Sequence, residues 1–269
     1  MRVIGLDLGS RRTKAVLLID GVLHERAVFD SWNLAKETVS AWVYKRSADA
    51  IGATGYGRRL AATTFNAAVI TEIAAFARGA SLLAPNARML VDIGGQDAKI
   101  IRLDENGNAA DFEMNDRCAA GTGKFFELLS RTLGMPLEEL PAKALSAAKA
   151  FPISSTCAVF AESEIIGRLA EGADAGALAL GVFRSVAERL TTMISRVGFT
   201  APAILVGGGA NVALAAELAQ PHGEPFGLPD DGSYFGAVGV ALHAASMTSP
   251  VRKDLPIPRP SFHDRDVLS

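Results

Sequence analysis

Two short segments of this chain place an aspartate, a glycine and a lysine at one shared spacing. Leu6-Asp-Leu-Gly-Ser-Arg-Arg-Thr-Lys14 aligns without a gap on Val91-Asp-Ile-Gly-Gly-Gln-Asp-Ala-Lys99. Both follow a buried strand-like run and lead into a second apolar run, so Asp-x-Gly-[Ser/Gly]-x-x-x-Lys is an internal repeat. The residue types suit phosphate. Gly9, and Gly94 with Gly95, let the backbone turn tightly and aim amides at phosphate oxygens. Ser10 and Thr13 add hydroxyl donors, Arg11 lies in the first turn, and Lys14 or Lys99 adds a point charge. Asp7 and Asp92 end their strands and could hold a hydrated Mg2+, which binds through one or two carboxylates and substrate phosphates. One copy alone reads as a hairpin turn with a solvated lysine; two matched copies favour phosphate. Each turn joins strand to strand, which excludes a Walker loop and a Rossmann fingerprint. Gly207-Gly208-Gly209, between a strand and a helix with Asn211 as its N-cap, reads alone as a strand-to-helix turn, which rarely needs three glycines; in an ATP site it would let an adenosine lie flat against the backbone.

The chain has two cysteines, Cys118 and Cys157. Read alone, each is a buried, inert thiol, since free cysteine is among the most buried residue types. Two fall short of the four ligands of a structural zinc or iron–sulfur site. The four histidines are scattered and form no His-x-x-x-His pair. If the cysteines bind metal, a second copy of the chain supplies the missing ligands.

The elements that must position these groups come in two rounds. Arg2–Asp7, Thr13–Ile19 and Val22–Phe29 read as strands, the last two joined at Asp20-Gly21, a hairpin signal. A helix over Asn33–Lys45, a short strand over Ala50–Thr54 and a helix over Thr71–Leu83 follow. Then the pattern restarts: strand Arg88–Ile93, turn Gly94–Asp97, strand Lys99–Leu103, a turn at Asn106-Gly107 and a strand near Ala110–Met114. Helices are expected over Gly123–Leu133, around Leu137–Lys149, over Thr156–Ala170 and over Asp174–Val197. The last has an apolar face of Phe183, Val186, Leu190, Met193, Ile194 and Val197. Strand Ala203–Val206, helix Asn211–Gln220 and helix Tyr234–Ser246 complete the order. Two lobes of one topology, 1–85 with 234–249 and 86–233, would put both phosphate turns at one cleft. The segment 250–269, with four prolines from Pro250 onward, reads as an extended tail.

Bulk composition fits a large packed protein: 269 residues, 49% hydrophobic and 21% charged. A net charge of −2 gives no electrostatic argument for nucleic acid or an anionic membrane. No basic segment precedes a long apolar one, and no apolar run is long enough to span a bilayer. A cytoplasmic protein is expected.

Gly5–Lys14, Asp92–Lys99 and Gly207–Gly209 resemble the acetate and sugar kinase/heat-shock cognate/actin superfamily of ATPases. Met114–Phe125 and Ser154–Ile166 narrow the resemblance to the activators of 2-hydroxyacyl-CoA dehydratases and the ATP-binding subunits of benzoyl-CoA reductase. Thr54–Arg58 and Ile70–Ala80 are also similar to that family, and the match runs from about Val3 to about Leu242. The resemblance implies an α/β protein of two duplicated ribonuclease H-like, actin-like ATPase lobes around an ATP cleft. It implies a homodimer or paired subunits sharing one [4Fe–4S] cluster, with Cys118 and Cys157 of each chain as its ligands. It further implies a ferredoxin or flavodoxin as electron donor and a CoA-thioester dehydratase or reductase component as acceptor. Gln96 and Asp97 are candidates to orient the attacking water or the metal. The sequence departs from the pattern at Arg11 and Arg12, where small hydroxyl residues are common, and at Phe76, where a histidine is expected.

A small-molecule kinase of the same superfamily, acting on a sugar or acid, would use both loops and leave both cysteines unused. An actin-type assembly protein has no positive feature here. Nucleophilic hydrolysis lacks a Ser or Cys elbow with a histidine partner.

Overall fold

The structure, a computed structural model, describes residues 1–30, 32–116, 122–154 and 157–248. Its frame is two five-stranded sheets of one design. The first contains β1 (Arg2–Leu8), β2 (Arg12–Ile19), β3 (Val22–Asp30), β4 (Ala50–Gly55) and β5 (Ala68–Val69), in the order β3-β2-β1-β4-β5. The second contains β6 (Met89–Ile93), β7 (Asp97–Leu103), β8 (Ala109–Asp116), β9 (Ala203–Val206) and β10 (Phe226–Gly227), in the order β10-β9-β6-β7-β8. In each, three consecutive strands form an antiparallel meander, a fourth strand pairs in parallel with the first of them, and a fifth pairs in parallel with the fourth. This duplicated ribonuclease H-like pattern is the actin-like ATPase fold. The register carries the repeat into space: Asp7 lies directly opposite Lys14, and Asp92 directly opposite Lys99.

Helices α1 (Trp32–Tyr44) and α2 (Arg58–Phe65) cover one face of the first sheet, with Val39, Val43, Ala61 and Phe65 meeting Ile4, Leu6 and Leu17. Five helices cover one face of the second sheet: α4 (Gly123–Leu133), α5 (Leu140–Leu145), α6 (Ala158–Ala170), α7 (Ala175–Val197) and α8 (Val212–His222). All six apolar residues expected on one face of α7 are buried in that core. Each such side chain contributes roughly 1.5–3 kcal/mol relative to exposure.

The two remaining helices lie between the sheets. Helix α9 (Phe235–Thr248), last in the described chain, covers the inner face of the first sheet through Ala237, Val238, Ala241 and Ala244. Helix α3 (Glu72–Leu83) sends Phe76, Ala77 and Ala80 onto Leu90, Ile101 and Val206 of the second. These two helices touch backbone to backbone. A Cβ on Gly239 would overlap the carbonyl of Ala75, and one on Gly79 the carbonyl of Phe235. Glycine is needed there for close approach.

Several elements differ from the sequence expectation. Helix α2 was not expected, because its turns carry Arg-Arg and Thr-Thr and little periodicity. Strands β5 and β10 are two residues long, too short for an alternating pattern to register. Of the helical stretch expected over 137–149, only α5 forms, held by Leu140 and Ala144 in the core. Asp97 opens β7 rather than closing the turn before it. Arg117, Cys118 and Gly121, Ser155 and Thr156, and the tail 250–269 lie outside the described residues. Among the described residues no helix is long and apolar enough to cross a membrane.

Candidate functional site

The two phosphate turns, the triple glycine and the first residue of α3 wall one cleft of about 710 Å³. Asp7, Gly9, Ser10, Arg11 and Lys14 line it from the first sheet; Asp92, Gly94, Gly95, Asp97 and Lys99 line it from the second. Gly207, Gly208, Gly209 and Asn211 line it where β9 passes into α8. Folding thus brings together most of the residues singled out by the repeat.

Two of them stand apart. Thr13 is fully buried within β2 and does not belong to the cleft wall; its hydroxyl has no hydrogen-bond partner among the described residues. Gln96 is exposed at the tip of the second turn and is also absent from the wall. Alternation along β2 explains the first case, since Thr13 and Lys14 must point to opposite faces. In the second, the hairpin turns its apex outward, a choice that residue type does not specify.

The floor is a cluster of charges. Lys99 Nζ lies 2.8 Å from Glu72 Oε2, 3.1 Å from Asp92 Oδ2 and 3.0 Å from Asp97 Oδ2, and all four side chains are buried or nearly so. Burial alone would lower the Lys99 pKa, but Asp92, Glu72 and Asp97 together raise it, so the ammonium stays charged. Burial pushes the Asp92 carboxyl up to about 6 despite the pull of Lys99. Burial also raises Glu72, again against Lys99. The point charge expected of Lys99 is therefore turned onto carboxylates. Lys14 is the freer lysine, 3.9 Å from Asp7 Oδ2 and part of the cleft wall.

Glu72 was not singled out by sequence reading. Thr71 caps α3, its hydroxyl accepting from the Ala74 amide at 3.3 Å, so an acidic residue next in line reads as a charge favoured by the helix dipole. The position of Phe76 also becomes clear: it is 4% exposed, in the apolar layer under the cleft.

The glycines are held by contact. A Cβ on Gly94 would overlap the Asp97 carboxylate, and one on Gly207, which has φ +89°, would overlap that of Asp92. Asn211 caps α8: its Oδ1 accepts from the Leu214 amide at 3.0 Å and its Nδ2 donates to the Gly209 carbonyl at 2.9 Å. Helix α4 is joined to the second turn by its first amides, Gly123 N donating to Gly94 O at 2.9 Å and Lys124 N to Gly95 O at 3.2 Å. Arg11 reaches from the first turn to Glu127 of α4.

The described cysteine does not match the buried thiol expected of an isolated residue. Cys157 is exposed, free, and the N-cap of α6. Helices α4 and α6 share one core through Phe126, Leu129, Ala158, Ala161 and Ile165. Among the described residues no three His, Cys, Asp or Glu side chains gather as a metal set. The cleft nevertheless suits Mg2+, which asks for one or two hard carboxylate oxygens beside phosphate. Around Lys14 and Lys99 stand four carboxylates, Asp7, Glu72, Asp92 and Asp97, an excess of two negative charges.

Comparison with known proteins places this geometry. The chain is 38% identical over 265 residues to the activator of lactoyl-CoA dehydratase of Anaerotignum propionicum, covering 91% of this chain and 97% of that one. It is 31% identical over 265 residues to a benzoyl-CoA reductase subunit of Thauera aromatica, covering 90% and 92%. Among solved structures it resembles the activator of the 2-hydroxyisocaproyl-CoA dehydratase from Clostridium difficile with bound ADPNP. There the TM-score is 0.85 and the identity 32%, over 94% of this chain and 100% of that one. Residues 4–244 match one family throughout, and with both halves of its ATPase fold present this chain belongs to the BadF/BadG/BcrA/BcrD ATPase family.

Proposed function

We propose that this ATPase drives low-potential electron transfer to a 2-hydroxyacyl-CoA dehydratase or to the catalytic component of a benzoyl-CoA reductase, in the cytoplasm. The observation that carries the reading is the junction of α4 with the second phosphate turn. The carbonyls of Gly94 and Gly95 accept the first two amides of a helix that starts five residues after Cys118. A change at the phosphates is thereby handed to that helix, and through the shared core to α6, which begins at Cys157.

Gly9, Ser10, Lys14, Gly94 and Gly95 take the phosphates in this reading, and Gly207–Gly209 with Asn211 the adenosine side. Asp7 and Asp92 would hold Mg2+, which supplies positive charge to the phosphates. The lobes are 1–85 with 234–249, and 86–233. Cys118 and Cys157, from this chain and from a second copy or a paralogous subunit, would give four thiolates for one [4Fe–4S] cluster. That group supplies a one-electron carrier, loaded by a ferredoxin or flavodoxin. The exposed position of Cys157 fits a ligand shared with another subunit.

Anaerobic purification tests this. The protein should be brown, with about four iron atoms per two chains. Cys118→Ser and Cys157→Ser should each lose the iron and keep nucleotide binding. Serine is itself a good N-cap, so Cys157→Ser should cost less than ~1 kcal/mol of stability. Colourless protein with two free thiols that phosphorylates a sugar or an acid would overturn the reading in favour of a kinase.

A further inference from the structure

We propose that Arg11 tells ATP from ADP: the terminal phosphate draws its guanidinium away from Glu127, and helix α4 is thereby released from the first half of the molecule. The inference rests on ATP binding in this cleft, as read above, and goes beyond it by naming the group that senses the last phosphate.

Arg11 stands at the seam between the two phosphate turns. A Cβ on Gly95 would lie 2.5 Å from its Cγ and 3.5 Å from Ser10 Oγ, so the tips of the turns meet there. The adenosine side, Gly207–Gly209, lies against the second half, where a Cβ on Gly209 would overlap Ile93. A phosphate chain that starts at those glycines ends at the seam. Its last phosphate is the one that both turns face. Among the cations of the first turn, Lys14 lies 3.9 Å from Asp7 Oδ2 of its own half, and Arg12 opens β2 opposite Asp30. Arg11 is the cation of this turn that, among the described residues, is bonded to the other half.

Its partner sits on the lever. Glu127 accepts from Arg11 Nε at 3.1 Å and from Nη2 at 2.8 Å. One turn earlier on α4, the Gly123 amide donates to Gly94 O. Helix α4 is thus tied at its start to the second phosphate turn and one turn later to the first. A guanidinium has one fork for two oxygens, and phosphate fits it as well as carboxylate does. A terminal phosphate brings about two negative charges against the single charge of Glu127. The paired side chains are 55% and 32% exposed, so solvent screens the bond and it yields readily. ADP lacks the last phosphate and leaves the pair closed. Linkage makes the effect reciprocal, so removing Glu127 must favour ATP.

The experiment uses anaerobically purified wild type, Arg11→Ala and Glu127→Gln. Equilibrium titrations with ADPNP and with ADP are paired with amide hydrogen exchange along α4. Both side chains are at the surface, so both variants should fold. Arg11→Ala should bind ADPNP about three- to tenfold more weakly and ADP within about twofold of wild type. Glu127→Gln should bind ADPNP about two- to fivefold more tightly, again with ADP within about twofold. In wild type, ADPNP but not ADP should speed exchange in α4 around Glu127 by about two- to fivefold. Nucleotide-free Glu127→Gln should already exchange at that faster rate. Equal losses for ADP and ADPNP in Arg11→Ala would overturn the proposal, because Arg11 would then read a phosphate common to both. Unchanged affinities in both variants, or α4 exchange that ADPNP leaves unaltered, would overturn it as well. Wild type that binds neither nucleotide would instead remove the reading of the cleft itself.

Discussion

Arg11 and Glu127 grip each other across the cleft with two parallel bonds. Nε donates to Oε1 at 3.1 Å and Nη2 to Oε2 at 2.8 Å, joining the first phosphate turn to helix α4 of the other half. The Arg11 side chain also lies over Gly95, where an added Cβ would sit 2.5 Å from its Cγ and 3.1 Å from its Cβ. The paired fork is the geometry in which guanidinium and carboxylate bind best. Both groups are substantially exposed, so the pair contributes little to stability, about 0–1 kcal/mol. Its consequence lies in what Arg11 does when an anion arrives.

A phosphate entering the cleft competes with Glu127 for the same guanidinium. Glu127→Gln should therefore bind ATP more tightly, by about two- to fivefold, and Arg11→Ala more weakly by about three- to tenfold. Both effects should shrink with added salt. Calorimetric titration at two salt concentrations reads this directly. Shifts of the same sign in both variants would mean that the pair acts only as a brace.

The charge cluster on the floor predicts a pH-dependent penalty. Asp92 sits at about 6 in the folded chain against an ordinary 3.8. It holds its proton more tightly folded than unfolded, so its contribution to stability falls as pH rises from about 4 through about 6. Asp92→Asn removes that penalty. In chelated, nucleotide-free protein the variant should melt ~2–6 °C above wild type at about pH 8. The gap should narrow as pH falls below about 6, and Mg2+-dependent nucleotide binding should be lost. A lower melting point at about pH 8 would show that Lys99 stabilises Asp92 by more than its burial costs.

Packing at the joint between the sheets gives a steric prediction. Alanine at Gly239 gains about 1 kcal/mol of helix propensity, but its methyl collides with the Ala75 carbonyl. Backbone cannot rotate away as a side chain can, so the collision dominates, at about 2–4 kcal/mol net. Gly239→Ala should melt roughly 5–10 °C lower. Gly167→Ala, in the exposed part of α6 with nothing within 4 Å, should be neutral or stabilising. Thermal unfolding of the two variants separates crowding from propensity, and equal melting points would contradict the close α3–α9 contact.

What could be read along the chain was local. A tight turn between antiparallel strands brings positions seven apart face to face, so the spacing of Asp7 from Lys14, and of Asp92 from Lys99, already stated who meets whom. The caps Thr71 and Asn211 and the apolar face of α7 were equally legible, because each depends on neighbours within a turn or two. The short strands β5 and β10 were not, since two residues carry no period.

The sequence by itself determined the duplicated loops, the fold they imply and the family. Tertiary structure alone decided which charges share the floor. Glu72 meets Lys99 because α3 packs on the second sheet rather than the first. Thr13 is buried and Gln96 exposed because strand alternation and a hairpin's outward apex set direction, and residue type does not. Arg11 finds Glu127, 116 residues away, only because the two lobes close on each other. Hydrogen-bond geometry acts over a few residues and leaves its mark in spacing. Burial of apolar faces acts between elements, is blind to order along the chain, and settles the rest.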